Sequence, residues 1–560
     1  MKKINKSLLF IFALLLSAGI MAQSIDDGKK FIYYERFSSA KDLFQKIVNA
    51  NPGNDDAVYW LGQSYIGLEN VAAAKTLYQT TLSANPNSPM TLVGMGQVEL
   101  IEGKAQDARS RFETAISMTK GKSIDVLNAI GFANANPDSK NGDAAYAIEK
   151  LKQATQLKKF NDPEVYANLG DAYRKFADGG NAIRAYESAL ALNPNYARAT
   201  YRIGRVYQTQ GAGQEELYMK YYNDAIAKDA NYAPVYNTLF NYFYETNVGR
   251  SAQYLDKYLN ASDDDPKACY YRASIKYAQG LFQDAIVKAD QCITAGGTSP
   301  YPNLYGIKAL AYRRLKDSIR AKENYETYFK LQDSSKVGGG DYSAYADILL
   351  MFPGNESLAA SYVNKAIAMD TLEANKVSYM KNMAKAYEDA KNYKEAGKWY
   401  GRVISTKKNF SNVDLFYAGY DYYLAADYDS SNKYFNMYVE KYPEDILGYY
   451  MLGNTYAAID STGERGLAVP YYTKTVQIGE SDITKANAKT RVLNAYKFFI
   501  GYYYNNKKDR ATALQYLDKA LVLEPTDASL LSNKEFISKN DPNAPAKPAG
   551  KPAGKSSNKK

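Results

Sequence analysis

Small and aromatic residues recur together at fixed offsets along most of this 560-residue chain. In 163–194, PEVYANLGDAYRKFADGGNAIRAYESALALNP, Leu169, Gly170 and Tyr173 stand at i, i+1 and i+4, and Ala182, Tyr186 and Ala189 at i, i+4 and i+7. Each set falls on one face of an α-helix. Gly180 and Asn181 lie near the break between the two helices, and Pro194 stops the second. The small residues let two helix backbones approach, and the tyrosines fill the space beside them. The register returns with Leu61, Gly62, Tyr65, Ala74, Tyr78 and Pro86, with Gly419, Tyr422, Phe435, Tyr438 and Pro443, and with Gly501, Tyr504, Ala513, Leu517, Ala520 and Pro525. Looser copies, such as Met95, Gly96, Ala108, Phe112 and Ala115, fill the spaces between. A chain built this way folds by stacking helical hairpins, because no single hairpin buries its own apolar face.

This register resembles the tetratricopeptide repeat, whose first helix carries Leu-Gly-x-x-Tyr and whose second carries Ala, Phe or Tyr, Ala and then Pro. The resemblance covers nearly the whole chain after residue 22. It implies an all-α fold, an α-solenoid: a right-handed superhelix of about 14 helix–turn–helix units from Ile25 to Pro525, counted with the family's period. Extra residues near Gly131 and in DSTGERG (460–466) fall at turns. The expected organisation is an N-terminal array over 23–333, a possible hinge loop at 334–341 (SSKVGGGD), and a C-terminal array with a capping helix over 342–539. The alternative for 334–341 is a longer loop between repeats. Residues 540–560 are a Pro/Ala/Gly/Lys tail, read as disordered.

The first 22 residues read as a signal peptide: three lysines, an apolar run from Leu8 to Ile20, and small residues before a cut after Ala22. The expectation is an exported protein, periplasmic or extracellular, with no transmembrane segment. Of the net charge of +10, the leader contributes +3 and the tail +4, leaving a nearly balanced body. That argues against a nucleic-acid partner. The sequence has no histidine. It therefore excludes Ser-His-Asp and Cys-His nucleophile systems and histidine-ligated zinc. No phosphate-binding loop, nucleophile elbow or EF-hand motif occurs. No catalytic residue, cofactor or metal site is expected. Asp263–Asp265 before Pro266 reads as a polar turn capping the next helix rather than a cation site.

The resemblance implies that positions 2, 5, 9 and 12 of each first helix line a concave groove. Carried across, they give Arg198, Tyr201 and Arg205 (with Gln208), then Asn237, Asn241 and Tyr244, then Tyr270 and Tyr277. A C-terminal set is Phe416, Tyr420 and Tyr423, then Tyr450 and Asn454, then Phe498 and Tyr502. Tyrosine and arginine are common interface anchors, and asparagine pairs with peptide backbone. The alternative for each tyrosine is packing between repeats. The family's clamp for C-terminal carboxylates is not reproduced: Ala167 and Asp171 stand at its positions, and Lys381 and Lys385 lack matching partners. The functional expectation is a non-catalytic scaffold or adaptor of the bacterial cell envelope, binding a peptide or partner domain in the groove. A glycan- or solute-binding protein using its tyrosine-rich face is the alternative. Exposed tyrosine faces equally allow a homo-oligomer. Cys269 and Cys292 read as two buried thiols, with a disulfide as the alternative.

Overall fold

The computed structural model describes residues 25–485 and 487–544. The leader and nearly all of the tail lie outside them. The described residues form α-helices joined by short turns, with brief 3-10 and π segments and no strand among them. Contacts divide the chain after Leu315 into two units, each a run of stacked helical hairpins, an α-solenoid. The first unit runs from the pair 25–33 and Phe37–Ala50 to the pair Pro266–Ala278 and Phe282–Ala295, followed by Asn303–Arg314. The second opens with Ser318–Leu331 and closes with Ala488–Gly501 and Arg510–Leu523, on which Ala528–Lys539 packs as a last helix. Residues 334–341 form a 3-10 turn, Ser334–Lys336, and then the start of the helix Gly339–Leu349.

Six of the hairpin turns share one construction. A residue with left-handed backbone follows the first helix, and the side chain of the next residue caps the second helix. Glu69 (φ 61°) precedes Asn70, whose side chain accepts from the Ala73 amide, and Ala177 (φ 62°) precedes Asp178, which accepts from Asn181. The left-handed residue lets the following amide reach back to the helix, as Asp178 N does to Tyr173 O at 2.9 Å. Asparagine and aspartate then satisfy the amides that open the second helix. First helices begin similarly: Asp162 caps Pro163–Lys175 and Asp265 caps Pro266–Ala278, each with proline in the first turn.

The small and aromatic positions interlock. A Cβ at Gly62 would lie 2.0 Å from Tyr78 Cζ, and one at Gly94, in the next hairpin, 2.4 Å from the same atom. The Tyr78 ring, wholly buried, is thus clamped between two successive first helices, and its hydroxyl donates to Tyr59 O at 2.9 Å. Gly170 meets Tyr186 in the same way, with a Cβ 2.3 Å from Cε1.

Cys269 and Cys292 are joined as a disulfide with Cα atoms 6.0 Å apart, which corrects the reading of two separate thiols. Cys269 stands early in Pro266–Ala278 and Cys292 late in Phe282–Ala295. Antiparallel packing of the hairpin brings those two positions level, inside the span that a disulfide bridges.

Candidate functional site

In the first unit the end of the helix 25–33 and the turn after it lie against the starts of the first helices Ala197–Gln208, Ala233–Phe243 and Pro266–Ala278. A polar ladder links successive first helices. Asp171 accepts from the Tyr186 hydroxyl at 2.7 Å and from Arg198 Nη2 at 2.8 Å, and pairs with Arg202 at 3.2 Å. Arg198 Nη2 also reaches Asn168 Oδ1 at 2.6 Å, and Asn168 donates to Asn128 at 2.8 Å. Burial alone would raise the Asp171 carboxyl. The guanidinium groups of Arg202 and Arg198, the Tyr186 hydroxyl and Arg174 outweigh it and hold the carboxyl at about 2.

Two of the expected groove anchors, Arg198 and Tyr201, already make contacts within the fold, and Tyr201 also lines the pocket described next. Arg198 is committed to Asp171 and Asn168. The buried Tyr201 packs on Tyr222 and Tyr232 and shares a hydrogen bond with Thr238. Further along the same helix rows the face is open. Arg205, Gln208, Asn237, Asn241 and Tyr242 line a pocket of about 330 Å³, with Glu35 reaching in from the turn after 25–33. Arg205 Nη1 donates to the Tyr201 and Thr238 hydroxyls, while its buried Nε has no hydrogen-bond partner. Burial pushes the Glu35 carboxyl up, against the pull of Lys267, Arg202 and Arg198. The pocket amides already pair in part, Asn241 Nδ2 donating to Asn237 Oδ1 at 3.0 Å and Gln208 Oε1 accepting from the Tyr222 hydroxyl at 2.8 Å, with the Arg205 guanidinium and the Glu35 carboxyl beside them.

The remaining anchors of this unit are half-buried. Tyr244 donates to Ser274 O at 2.8 Å, Tyr270 lies beside Tyr271 and Tyr301, and Tyr277 packs on Phe282 and accepts from Arg314. Tyr244 and Tyr270 therefore brace adjoining repeats.

In the second unit the expected residues form two aromatic groups. Phe416 stacks on Tyr420 with centroids 5.2 Å apart, and Tyr420 on Tyr423 at 6.3 Å, all three half-buried. Tyr450 lies against Tyr472, which packs on Phe498, and Phe498 stacks on Tyr502, which is buried. Asn454 accepts from the Tyr472 hydroxyl at 2.7 Å, and Tyr450 accepts from Asn494 at 3.0 Å. Lys381 and Lys385 are occupied too: Lys381 pairs with Asp414 at 2.7 Å, and Lys385 with Glu388 and Asp389.

A carboxylate pair absent from the sequence expectations lies here. Asp421 is 2% exposed, and its Oδ2 has no hydrogen-bond partner; nor has the buried Glu388 Oε1. Burial, reinforced by Glu388 and opposed by Lys385, raises Asp421 to about 7. The folded chain keeps a proton there that the unfolded chain releases near the ordinary 3.8. The stability contributed by this site therefore falls as pH rises from about 4 to about 7. Asp421→Asn is expected to stabilise the second unit by about 1–3 kcal/mol at about pH 8 and hardly at all at about pH 4. Urea melts at the two pH values check this; the same gain at both would refute it.

Residues 32–90 and 167–233 each match family models described as tetratricopeptide repeat. No curated protein matches the chain. Among solved structures, the C-terminal part of a TPR repeat-containing protein from Cytophaga hutchinsonii is similar at 22% identity, covering 47% of this chain and 98% of that one, with a TM-score of 0.36. Yeast Tom70 is similar at 14% identity, covering 73% and 96%, with a TM-score of 0.36.

Proposed function

From a chain that carries tetratricopeptide repeats in at least two stretches, we propose a non-catalytic protein-binding scaffold of the bacterial cell envelope that holds a segment of another protein on its inner faces. Such repeats are typically binding modules rather than enzymes, and they point to protein partners. The observation that carries the reading is the pocket of Arg205, Gln208, Asn237, Asn241 and Tyr242. Beyond the bonds its amides make within the fold, Asn241 Oδ1 offers an acceptor and Gln208 Nε2 a donor to an extended backbone. The half-exposed rings of Phe416, Tyr420 and Tyr423 offer a second, more apolar contact. Several weak contacts on one chain sum to useful affinity if the partner engages them together. The leader sequence supports export, and the basic tail suits tethering at an anionic surface.

The test is photo-crosslinking in cells, with a benzophenone amino acid at Asn241 and, separately, at Tyr420. One dominant envelope protein captured at either position is the expected result. No protein adduct at both positions would overturn the reading. The near-parallel stack of Phe416, Tyr420 and Tyr423 favours one alternative, sugar binding, since flat rings in register suit a sugar face. Binding to a glycan array by a chain that captures no protein would establish that alternative.

A further inference from the structure

A cavity of about 460 Å³ in the second unit lies at the starts of two successive first helices, Ile446–Ile459 and Ala488–Gly501. None of the expected groove residues lines it, and it takes no part in the binding surfaces described above. Its volume falls within the range of small-ligand sites, about 300–1,000 Å³.

The lining is of two kinds. The apolar part is a floor of Ile446, Ile478 and Ala488, all buried, with Tyr442 and Pro443 beside it. The helix Val469–Ser481 comes close beneath this floor at Gly479, where a Cβ would lie 2.2 Å from Val492 Cγ2 and 2.9 Å from Ile446 Cδ1. Helices that meet so closely hold the floor in one shape. The charged part differs in what it already holds. Asp445 accepts from the Tyr438 hydroxyl at 2.5 Å and from the Leu447 amide at 3.0 Å. Asp482 accepts from the Thr484 amide at 3.2 Å and from the Thr484 hydroxyl at 2.6 Å. These two carboxylates are engaged within the fold. Arg491, Lys485 and Glu444 are not: among the described residues none of the three makes a side-chain hydrogen bond or ion pair.

Two uncommitted cations and one uncommitted anion thus stand around an apolar floor. A phosphate dianion would be repelled by the three carboxylates and would leave the floor uncovered. An uncharged apolar solute would cover the floor and leave all three charges unused. A body that is apolar and carries one charge of each sign uses every part. Its anion is best a carboxylate, whose planar oxygens match the fork of an arginine.

We propose that this cavity binds a small apolar zwitterion: an apolar α-amino acid, or a short apolar peptide with both termini free. Arg491 and Lys485 take the carboxylate, Glu444 takes the ammonium group, and Ile446, Ile478 and Ala488 take the apolar side chains. The site goes beyond the protein-binding reading and does not depend on it.

The test is a ligand-observed NMR titration of the full chain with leucine and with leucyl-leucine. At least one of them is expected to bind with a Kd of about 0.1 mM or tighter, and the tighter one tells a free amino acid from a peptide as the source. For that probe, converting the carboxylate to an amide is expected to weaken binding at least about tenfold, and acetylating the amine to weaken it as well. Arg491→Gln is expected to weaken the parent probe at least about tenfold and to leave the amide's affinity unchanged, because the group it recognises is already gone. Glu444→Gln is expected to weaken the parent probe and spare the acetylated one. Neither substitution removes a contact of the fold, so thermal melts of both variants should match the unaltered chain. No saturable binding of either probe would overturn the proposal. So would an amide that binds as tightly as its parent, or an Arg491→Gln chain that loses the amide as much as the parent. Crosslinking from Asn241 and Tyr420 reads other surfaces, so the two readings fail separately.

Discussion

Asp171→Ala is expected to lower the stability of the first unit by about 3–5 kcal/mol, the usual result of removing one partner from a buried charge network. Asp171 is the acceptor on which Arg198, Arg202 and the Tyr186 hydroxyl converge. Without it, two largely buried guanidinium groups lose their main counter-charge. The loss spreads, because Arg198 and Arg202 belong to the next hairpin and the ladder continues through Asn168 to Asn128. The same site fixes a pH dependence. Its folded carboxyl, near 2, lies below the ordinary 3.8. The stability it provides is therefore present above about pH 4 and is lost as pH falls through about 2. Urea unfolding at neutral pH, with hydrogen exchange across 163–208, measures the effect. A change below about 1 kcal/mol would show that the ladder contributes little.

Gly94→Val is expected to cost the first unit about 3 kcal/mol or more, since Gly94 and Gly62 close on the Tyr78 ring from two sides. Gly94→Ala is the sharper comparison. In an open helix that change gains about 1 kcal/mol. Here the added methyl would sit 2.4 Å from Tyr78 Cζ, so the sign should reverse. Tyr78→Leu alone should also destabilise, by vacating space and losing the hydrogen bond to Tyr59 O. Combined with Gly94→Ala it should cost less than the sum of the two single changes, because the smaller side chain relieves the clash. Thermal melts of the four proteins check this. A Gly94→Ala chain as stable as the parent would show that the glycine is there for some other reason.

The hairpins were legible because their signals are local. The offsets of Gly170, Tyr173, Ala182 and Tyr186 define two faces, and Asp162, Asp178 and Asp265 cap the helices that follow them. Asp265 behaves as its position before Pro266 suggested. The neighbouring Asp263 does not, because its partners Arg36 and Ser39 lie more than 220 residues away. The groove residues were legible only in part. Helical position tells which side a residue faces, and that holds for Arg205, Asn237 and Asn241 around the pocket. It does not tell whether a charge is already spent. Arg198 read as an anchor because its counter-charge, Asp171, is 27 residues earlier and one repeat away. Opposite charges in successive first helices were the available signal. The Asp421 and Glu388 pair was hidden for the same reason, each carboxylate looking like an ordinary surface residue within its own helix. The disulfide turned on how two helices are levelled in space, which a separation of 23 residues leaves open.

The most direct measurement of the central claim, that partners are held on the inner faces, is hydrogen exchange of the full chain with and without a protein captured by crosslinking. The account predicts slowed exchange in the first helices bearing Arg205, Asn237 and Asn241, with the second helix Gly179–Leu192 unchanged. Protection confined to the second helices would contradict it and place the partner on the opposite side of the hairpins.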